Sequence, residues 1–304
     1  MNFRPFSIFP ILLTGIAVCL SGCDTLQGPQ GQPRTIAPAS PPPVADSPPG
    51  AGAIWPEDAP QILATSAILI DARTGRVLYQ KNADETRQVA STQKLISGML
   101  LTRRGGLDGL VTIAPSDTRV EPTKLGLRAG ERYPRRLLLQ AMMVRSSNDA
   151  TAALARDHSG SEEQFVAAMN QLAWQLGARN SRFANAHGLP AAQFSTARDV
   201  ARFSYFAYRD PELRRMMLIQ SMVFPFNSGR TTTLRTTNKL LERSPAFTGM
   251  KTGFTFAAGR CLVTSAQVNG RELILVQLNS NTRNIFNDAE KMISWAAQRP
   301  AWIL

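Results

Sequence analysis

Both ends of the foldable part of this chain read as β-strand, and the stretch between them reads as helix. Near its start, "SAILIDARTGRVLYQK" holds two short runs, Ser66 to Ile70 and Arg76 to Lys81, around an Asp-x-x-x-Gly turn. Near its finish come "TTTLRTT", "AFTGMKTG", "GRCLVTSAQV" and "RELILVQLN", then an amphipathic segment from about Ile285 to Ala297. Strands so far apart in sequence bury their apolar faces by joining one layer, with the helical middle as an insertion. The expected fold class is therefore α/β, an antiparallel sheet flanked by helices with an inserted all-helical subdomain.

The middle carries clear helix punctuation. In "SEEQFVAAMNQLAWQLG", Ser161 and Gln164 form a capping box, while Phe165, Met169, Leu172 and Leu176 share a face and Gly177 ends the run. Thr196 with Asp199 starts another helix in the same style. "RRLLLQAMMVRSSNDATAALARD" is helical on both sides of a polar break at Ser146 to Asn148.

Ahead of this region the chain cannot build a core. Residues 24–60 hold ten of the twenty prolines, interspersed with glycine, alanine and serine. Such a composition forms an extended tether. About 37 residues at roughly 3 Å each reach on the order of 100 Å. Before it, a basic start at Arg4, an apolar stretch from Ile8 to Leu20 and small residues Ser21 and Gly22 have the layout of a signal peptide. The expected organisation is a leader over 1–22, a proline-rich tether over 23–62 and a folded domain over 63–304.

Leu20-Ser21-Gly22-Cys23 resembles the bacterial lipobox. That resemblance implies cleavage before Cys23 and lipidation of its thiol, each acyl CH2 adding about 0.8 kcal/mol of membrane affinity. Asp24 resembles the enteric signal for retention at the cytoplasmic membrane; the inner leaflet of the outer membrane is the other destination. Cys19 leaves with the leader, so Cys261 is the single cysteine remaining and no intramolecular disulfide is possible. In the apolar run "GRCLVTSA" it reads as a small buried hydrophobe.

The net charge is +12. Setting aside Arg4 and the tether's net −3 leaves +14 on residues 64–304. No zinc-finger spacing, RNA-binding signature or aromatic-basic stripe accompanies this charge, so nucleic acid is not an expected partner. An anionic wall polymer or phospholipid surface is.

"QVASTQKLISGMLL" places Ser91 three positions before Lys94 at the start of an apolar helix. Positions i and i+3 share a helix face, so hydroxyl and amine can meet. Taken alone, the stretch reads as an N-cap at Ser91 and an exposed charge at Lys94, since serine is a preferred cap and S-x-x-K is common. Two later stretches change the balance: "VRSSNDA", with Ser146 and Asn148, and "GMKTGFT", with Lys251, Thr252 and Gly253. Together, in this order, they match the S-x-x-K, S-x-N and K-T-G set of penicillin-recognising serine enzymes.

The chain resembles the D-alanyl-D-alanine carboxypeptidases, the low-molecular-mass penicillin-binding proteins, from about Ala64 to Trp295. "DARTGRVLYQKNAD", "LGLRAGE", "SSNDATAALA", "NAHGLP", "STARDVA" and "GMKTGFTFAAGRCLV" all look like that family's segments in its order. The resemblance implies a β-lactamase or transpeptidase-like fold, peptidoglycan stem peptides ending in D-Ala-D-Ala as substrate, β-lactams as inhibitors, and no metal or other cofactor. Ser91 is the implied nucleophile and Lys94 its base, which must be neutral to take the proton. Ser146 would pass a proton to the leaving amine, and Asn148 would hold the substrate amide. Lys251 and Thr252 would bind the terminal carboxylate, with Thr255 nearby in the binding set. Gly253 would let the substrate lie against the strand edge. The backbone N–H groups of Ser91 and Phe254 would form the oxyanion hole. None of this needs a histidine: His187, in "NAHGLP", reads as a loop residue and His158 as a helix end.

Many members of the family carry a C-terminal β-rich domain and an anchoring helix. Here about fifty residues follow Lys251, so both are expected to be absent, with the lipid on Cys23 supplying the anchor. The same serine chemistry serves an endopeptidase cutting cross-links between stems. A β-lactamase is disfavoured because no glutamate is clearly placed to activate a deacylating water. An idle wall-binding module is disfavoured because none of the three motifs is broken.

Overall fold

The protein is described from a computed structural model covering residues 58–281 and 284–299. The leader, Cys23, Asp24 and nearly all of the tether lie outside the described residues. The expected domain boundary at 63 is slightly late. Ala59, Ile62 and Ala64 are already buried, the Leu63 N–H donates to Asp288 Oδ2 at 2.8 Å, and Lys81 Nζ donates to the Ile62 carbonyl at 2.9 Å.

The two ends of the domain meet in one five-stranded antiparallel sheet. Its strands are β1 (Ser66–Asp71), β2 (Val77–Lys81), β7 (Phe247–Thr255), β8 (Gly259–Val268) and β9 (Arg271–Ser280), in the order β2-β1-β9-β8-β7. β1 pairs with β9 from Ser66 opposite Leu278 to Asp71 opposite Leu273, joining residues some two hundred positions apart. The β1–β2 turn forms as its spacing predicts: Asp71 Oδ1 accepts from the N–H groups of Arg73 and Thr74 at 2.8 Å.

Both faces of the sheet are covered, which is why Ala67 to Ile70 and Leu273 to Val276 read as unbroken apolar runs. Ala67, Leu69, Leu262 and Leu275 pack under the terminal helix α8 (Ile285–Gln298). Ile68, Ile70, Val263 and Val276 face the larger core formed with the inserted helices. These are α1 (Lys94–Arg104), α2 (Arg135–Val144), α3 (Asn148–Ser159), α4 (Glu162–Gln175), α5 (Ala197–Arg209) and α6 (Pro211–Met217), with a short α7 (Leu240–Arg243) just before β7. None of the described helices is long and apolar enough to cross a membrane.

The expected caps are present. Ser161 Oγ accepts from the Gln164 N–H at 3.2 Å and Thr196 Oγ1 from the Asp199 N–H at 3.0 Å. Phe165, Met169, Leu172 and Leu176 are all buried. "TTTLRTT" departs from expectation. It forms β6 (Thr231–Arg235), which pairs with β5 (Ser221–Pro225) in a separate hairpin rather than joining the main sheet. A second small pair, β3 (Leu110–Thr112) with β4 (Arg132–Pro134), lies within the insertion.

Candidate active site

Ser91 is not the N-cap of α1. It sits in a 3-10 turn over Ala90–Gln93, the helix begins at Lys94, and neither element shows a side-chain cap bond. The Ser91 hydroxyl lies 3.2 Å from the His187 carbonyl and 3.0 Å from Lys94 Nζ. Cap and nucleophile are thus not combined in one residue here. The turn leaves the hydroxyl free to face the lysine.

Lys94 is fully buried, and its amine is ringed by acceptors. Asn148 Oδ1 lies at 2.7 Å, the His187 carbonyl at 2.9 Å, Ser91 Oγ at 3.0 Å and Ser146 Oγ at a looser 3.4 Å. Burial first, and the nearby Lys251 ammonium second, hold its pKa well below a lysine's ordinary range, while Asp149 pulls it back up. A neutral amine has two N–H donors and one lone pair. Donors spent on the two shortest contacts, to Asn148 and His187, would leave the lone pair of that neutral amine for the Ser91 hydroxyl. This is the arrangement a general base requires.

Three stretches of backbone are bent to make it. Ala90, Ser146 and Met250, each within one residue of a motif side chain, have positive φ of 48°, 67° and 85°. For non-glycine residues such conformations cost about 1–3 kcal/mol each and cluster at functional sites. Packing offsets the cost, since Ala90 and Met250 are buried in the main core.

Gly253 has a steric reason within the fold itself. A Cβ there would lie 2.8 Å from the Ser91 nitrogen and 2.9 Å from the Ala90 Cβ. Its absence lets β7 press directly against the serine turn; room for a substrate strand is not what the contact shows. Gly188, at φ 90°, does the same from the other side, where a Cβ would meet the Ala90 carbonyl oxygen at 2.2 Å.

Asn148 has two partners within the site. Its Oδ1 is engaged by Lys94 and its Nδ2 donates to the Pro122 carbonyl at 2.5 Å, so the carboxamide orients the lysine and holds the Pro122 loop. Lys251 is fully buried beside the site, and Nζ donates to the Thr252 carbonyl at 3.0 Å. Burial takes its pKa down to about 7. Thr252 Oγ1 donates to Thr237 Oγ1 at 2.6 Å. Ser91, Ser146, Thr237, Thr252, Gly253 and Phe254 line one cavity of about 440 Å³, a volume suited to a peptide end. Thr255 is outside that lining: its hydroxyl accepts from the Ala258 N–H at 3.0 Å in the β7–β8 turn.

Sequence reasoning missed three contributors. His187 enters the site through its carbonyl, and its ring is kept neutral by burial and by Lys94, with a pKa down to about 3. Its Nδ1 accepts from the Leu189 N–H and its Nε2 faces Glu162 Oε1 at 3.4 Å, which assigns the Nε2–H tautomer. "NAHGLP" was the available signal, but a main-chain acceptor leaves no mark on residue type. Asp149, in "SSNDATAALA", accepts from the N–H groups of Leu125, Gly126 and Leu127, and so ties down "LGLRAGE". Thr237 lies in no motif and could not have been found. Cys261 is buried, as expected, with its thiol pushed up to about 12.

An antiparallel sheet with a helical insertion, and a buried lysine set between two serines, define a penicillin-recognising serine enzyme. The chain belongs to the peptidase S11 family, the D-alanyl-D-alanine carboxypeptidases, whose sequence profile matches residues 55–282. It is 33% identical over 267 residues to a D-alanyl-D-alanine endopeptidase of Pseudomonas aeruginosa, covering 86% of this chain and 83% of that one. It is 35% identical over 253 residues to the D-alanyl-D-alanine carboxypeptidase DacC of Escherichia coli, covering 78% of this chain and 62% of that one. The crystal structure of D-alanyl-D-alanine carboxypeptidase from Mycobacterium tuberculosis matches with a TM-score of 0.76 at 27% identity, over 83% of this chain and 96% of that one.

Proposed function

We propose that this protein is a lipid-anchored serine D-alanyl-D-alanine carboxypeptidase that removes the terminal D-alanine from peptidoglycan stem peptides. The observation that carries the reading is the buried amine of Lys94, which lies 3.0 Å from the Ser91 hydroxyl and donates hydrogen bonds to Asn148 Oδ1 at 2.7 Å and the His187 carbonyl at 2.9 Å. Ser91 Oγ attacks the carbonyl between the two D-alanines and its proton passes to Lys94 Nζ. The Ser91 and Phe254 N–H groups receive the oxyanion. Lys94 returns the proton through Ser146 to the leaving amine, and free D-alanine departs with its carboxylate held by Lys251 and Thr252. Water then hydrolyses the acyl-enzyme on Ser91.

The test uses the full-length chain purified in detergent and a labelled penicillin. The expected result is one covalent label per chain, lost in Ser91→Ala with the fold intact. A folded wild type that stays unlabelled overturns the reading. The second reading, a D,D-endopeptidase opening cross-links, is favoured by the Pseudomonas relative, which matches over most of both chains. Comparing release of free D-alanine with opening of cross-linked dimers separates the two.

Lipidation of Cys23 rests on Leu20-Ser21-Gly22-Cys23, and retention at the periplasmic face of the cytoplasmic membrane on Asp24. Incorporation of a palmitate probe that persists in Cys23→Ala, or a wild type found only in outer-membrane fractions, would contradict these. The +14 charge of residues 64–304 supports attraction to the anionic wall or to phospholipid. Activity on sacculi that is indifferent to ionic strength would exclude it.

A further inference from the structure

The His187 carbonyl takes a hydrogen bond from Lys94 Nζ at 2.9 Å, and the Ser91 hydroxyl lies 3.2 Å from it. A loop carbonyl serves a base in this way only if its peptide unit is held at one angle, because hydrogen bonds weaken steeply with misalignment. Three consecutive peptide units over residues 185–188 are held at both ends. In the first, the Asn185 carbonyl accepts from Gln93 Nε2 at 2.6 Å and the Ala186 N–H donates to Glu162 Oε1 at 3.0 Å. In the second, the Ala186 carbonyl accepts from Ser97 Oγ at 2.7 Å and the His187 N–H donates to Asn185 Oδ1 at 3.3 Å. The third contains the His187 carbonyl, and its Gly188 N–H donates to the same Asn185 oxygen at 2.8 Å.

Gln93 and Ser97 belong to the same stretch as Lys94, and Asn185 belongs to the loop. Among the described bonds that hold these three units, the one to Glu162 comes from elsewhere, the first turn of α4. An acid there already suits the helix dipole, and the cap of α4 is Ser161, so the helix itself does not require a partner for this carboxylate. Yet Glu162 is turned inward, with its side chain about one-third exposed. Its Oε1 meets two donors at once, the Ala186 N–H and the Nε2–H of the neutral His187 ring at 3.4 Å. One oxygen thus grips main chain and side chain of adjacent residues. Glu162 is not among the residues that line the catalytic cavity, so it acts on the chemistry through the loop.

We propose that Glu162 is a positioning residue whose carboxylate, by holding Ala186 and the His187 ring, fixes the carbonyl against which Lys94 is oriented. The assignment rests on Ser91 being the acylated nucleophile and Lys94 its base.

The test follows acylation of the full-length chain by a labelled penicillin over a series of concentrations, which separates the limiting rate from the half-saturating concentration. In Glu162→Ala the limiting rate should fall by about tenfold to a hundredfold, the scale on which a small misplacement of reacting groups acts. The half-saturating concentration should stay where it is, and labelling should still reach one per chain. Glu162→Gln keeps an oxygen for the Ala186 N–H and should recover most of the rate. A purely structural role would lower the melting temperature and the labelled fraction but leave the limiting rate of the folded chains unchanged, and that result would overturn the proposal. So would a rise in the half-saturating concentration at an unchanged limiting rate. Glu162→Gln as slow as Glu162→Ala would overturn it too, by making charge and not contact the cause. All three outcomes leave Ser91 as nucleophile intact. A wild type that is never labelled removes the nucleophile assignment, and this inference with it. Should Glu162→Ala fail to fold, Glu162→Asp decides, since it keeps the charge and draws the carboxylate back by one methylene: a wild-type limiting rate there counts against.

Discussion

Two buried lysines stand side by side in this site, and their surroundings differ sharply. Lys94 has four oxygen acceptors within 3.4 Å, gathered from α1's own entrance, from α3 and from the His187 loop. Among the described residues Lys251 has one, the carbonyl of the residue after it. Both are desolvated, which favours the neutral amine in each. What separates them is where protons can go. The Lys94 surroundings offer a hydroxyl to deprotonate and another to hand the proton on. The Lys251 surroundings offer neither, so its amine contributes field and position, not proton transfer. Chemical role follows from the neighbours, not from residue type or burial.

The sharpest way to break this contrast is Lys94→Met, which keeps length and apolar character. Acylation by penicillin should fall by about 10²- to 10⁴-fold, the usual worth of a general base, while the thermal transition stays cooperative. A loss of less than tenfold in single-turnover labelling would remove Lys94 from that role.

Lys251→Met tests the other side. The Lys251 pKa in the folded state is about 7, against an ordinary 10.5. Between those values the unfolded chain binds a proton that the folded chain does not, so wild-type stability rises with pH across that window. Lys251→Met lacks that dependence. Its melting temperature should exceed wild type most at pH 6, with the gap nearly closed by pH 10. Calorimetry at both pH values checks this. The same substitution removes one of the two causes that lower the Lys94 pKa, so the acid limb of acylation should move to higher pH.

Gly253→Ala sharpens the comparison at the backbone that joins the two. The added methyl meets the Ser91 nitrogen at 2.8 Å, and forcing such a contact costs about 1–3 kcal/mol. Both stability and labelling should drop, and a variant that loses only stability would show that the serine turn tolerates displacement. The smallest effect belongs to an exposed pair. Arg243→Ala, which removes a 2.9 Å contact to Glu290, should change stability by less than about 1 kcal/mol and leave labelling unchanged.

Much of the fold was legible because local rules and tertiary structure agreed. The caps at Ser161 and Thr196, the Asp71 turn and the break after Val144 all depend on neighbours within four residues. "TTTLRTT" shows the limit: its strand character was plain, but its partner was not, because pairing is set by what lies across the ladder. Ser91 looked like a cap by residue type, yet the chain enters α1 through a 3-10 turn. Thr237 lies in no motif, and the His187 carbonyl acts through the main chain, which residue type does not reveal.

From the sequence by itself came the order of elements, the three motifs and the residues able to do acyl-transfer chemistry, because these are matters of type and spacing. Only the tertiary structure decided what each residue faces. It turned Asn148 toward Lys94, pressed Gly253 on the serine turn, left Thr255 in a hairpin turn and set Glu162 against the His187 loop. The physical reason is that hydrogen bonds, desolvation and charge act over a few ångströms in space. Residues 91, 146, 187 and 251 come within that range only when the sheet closes.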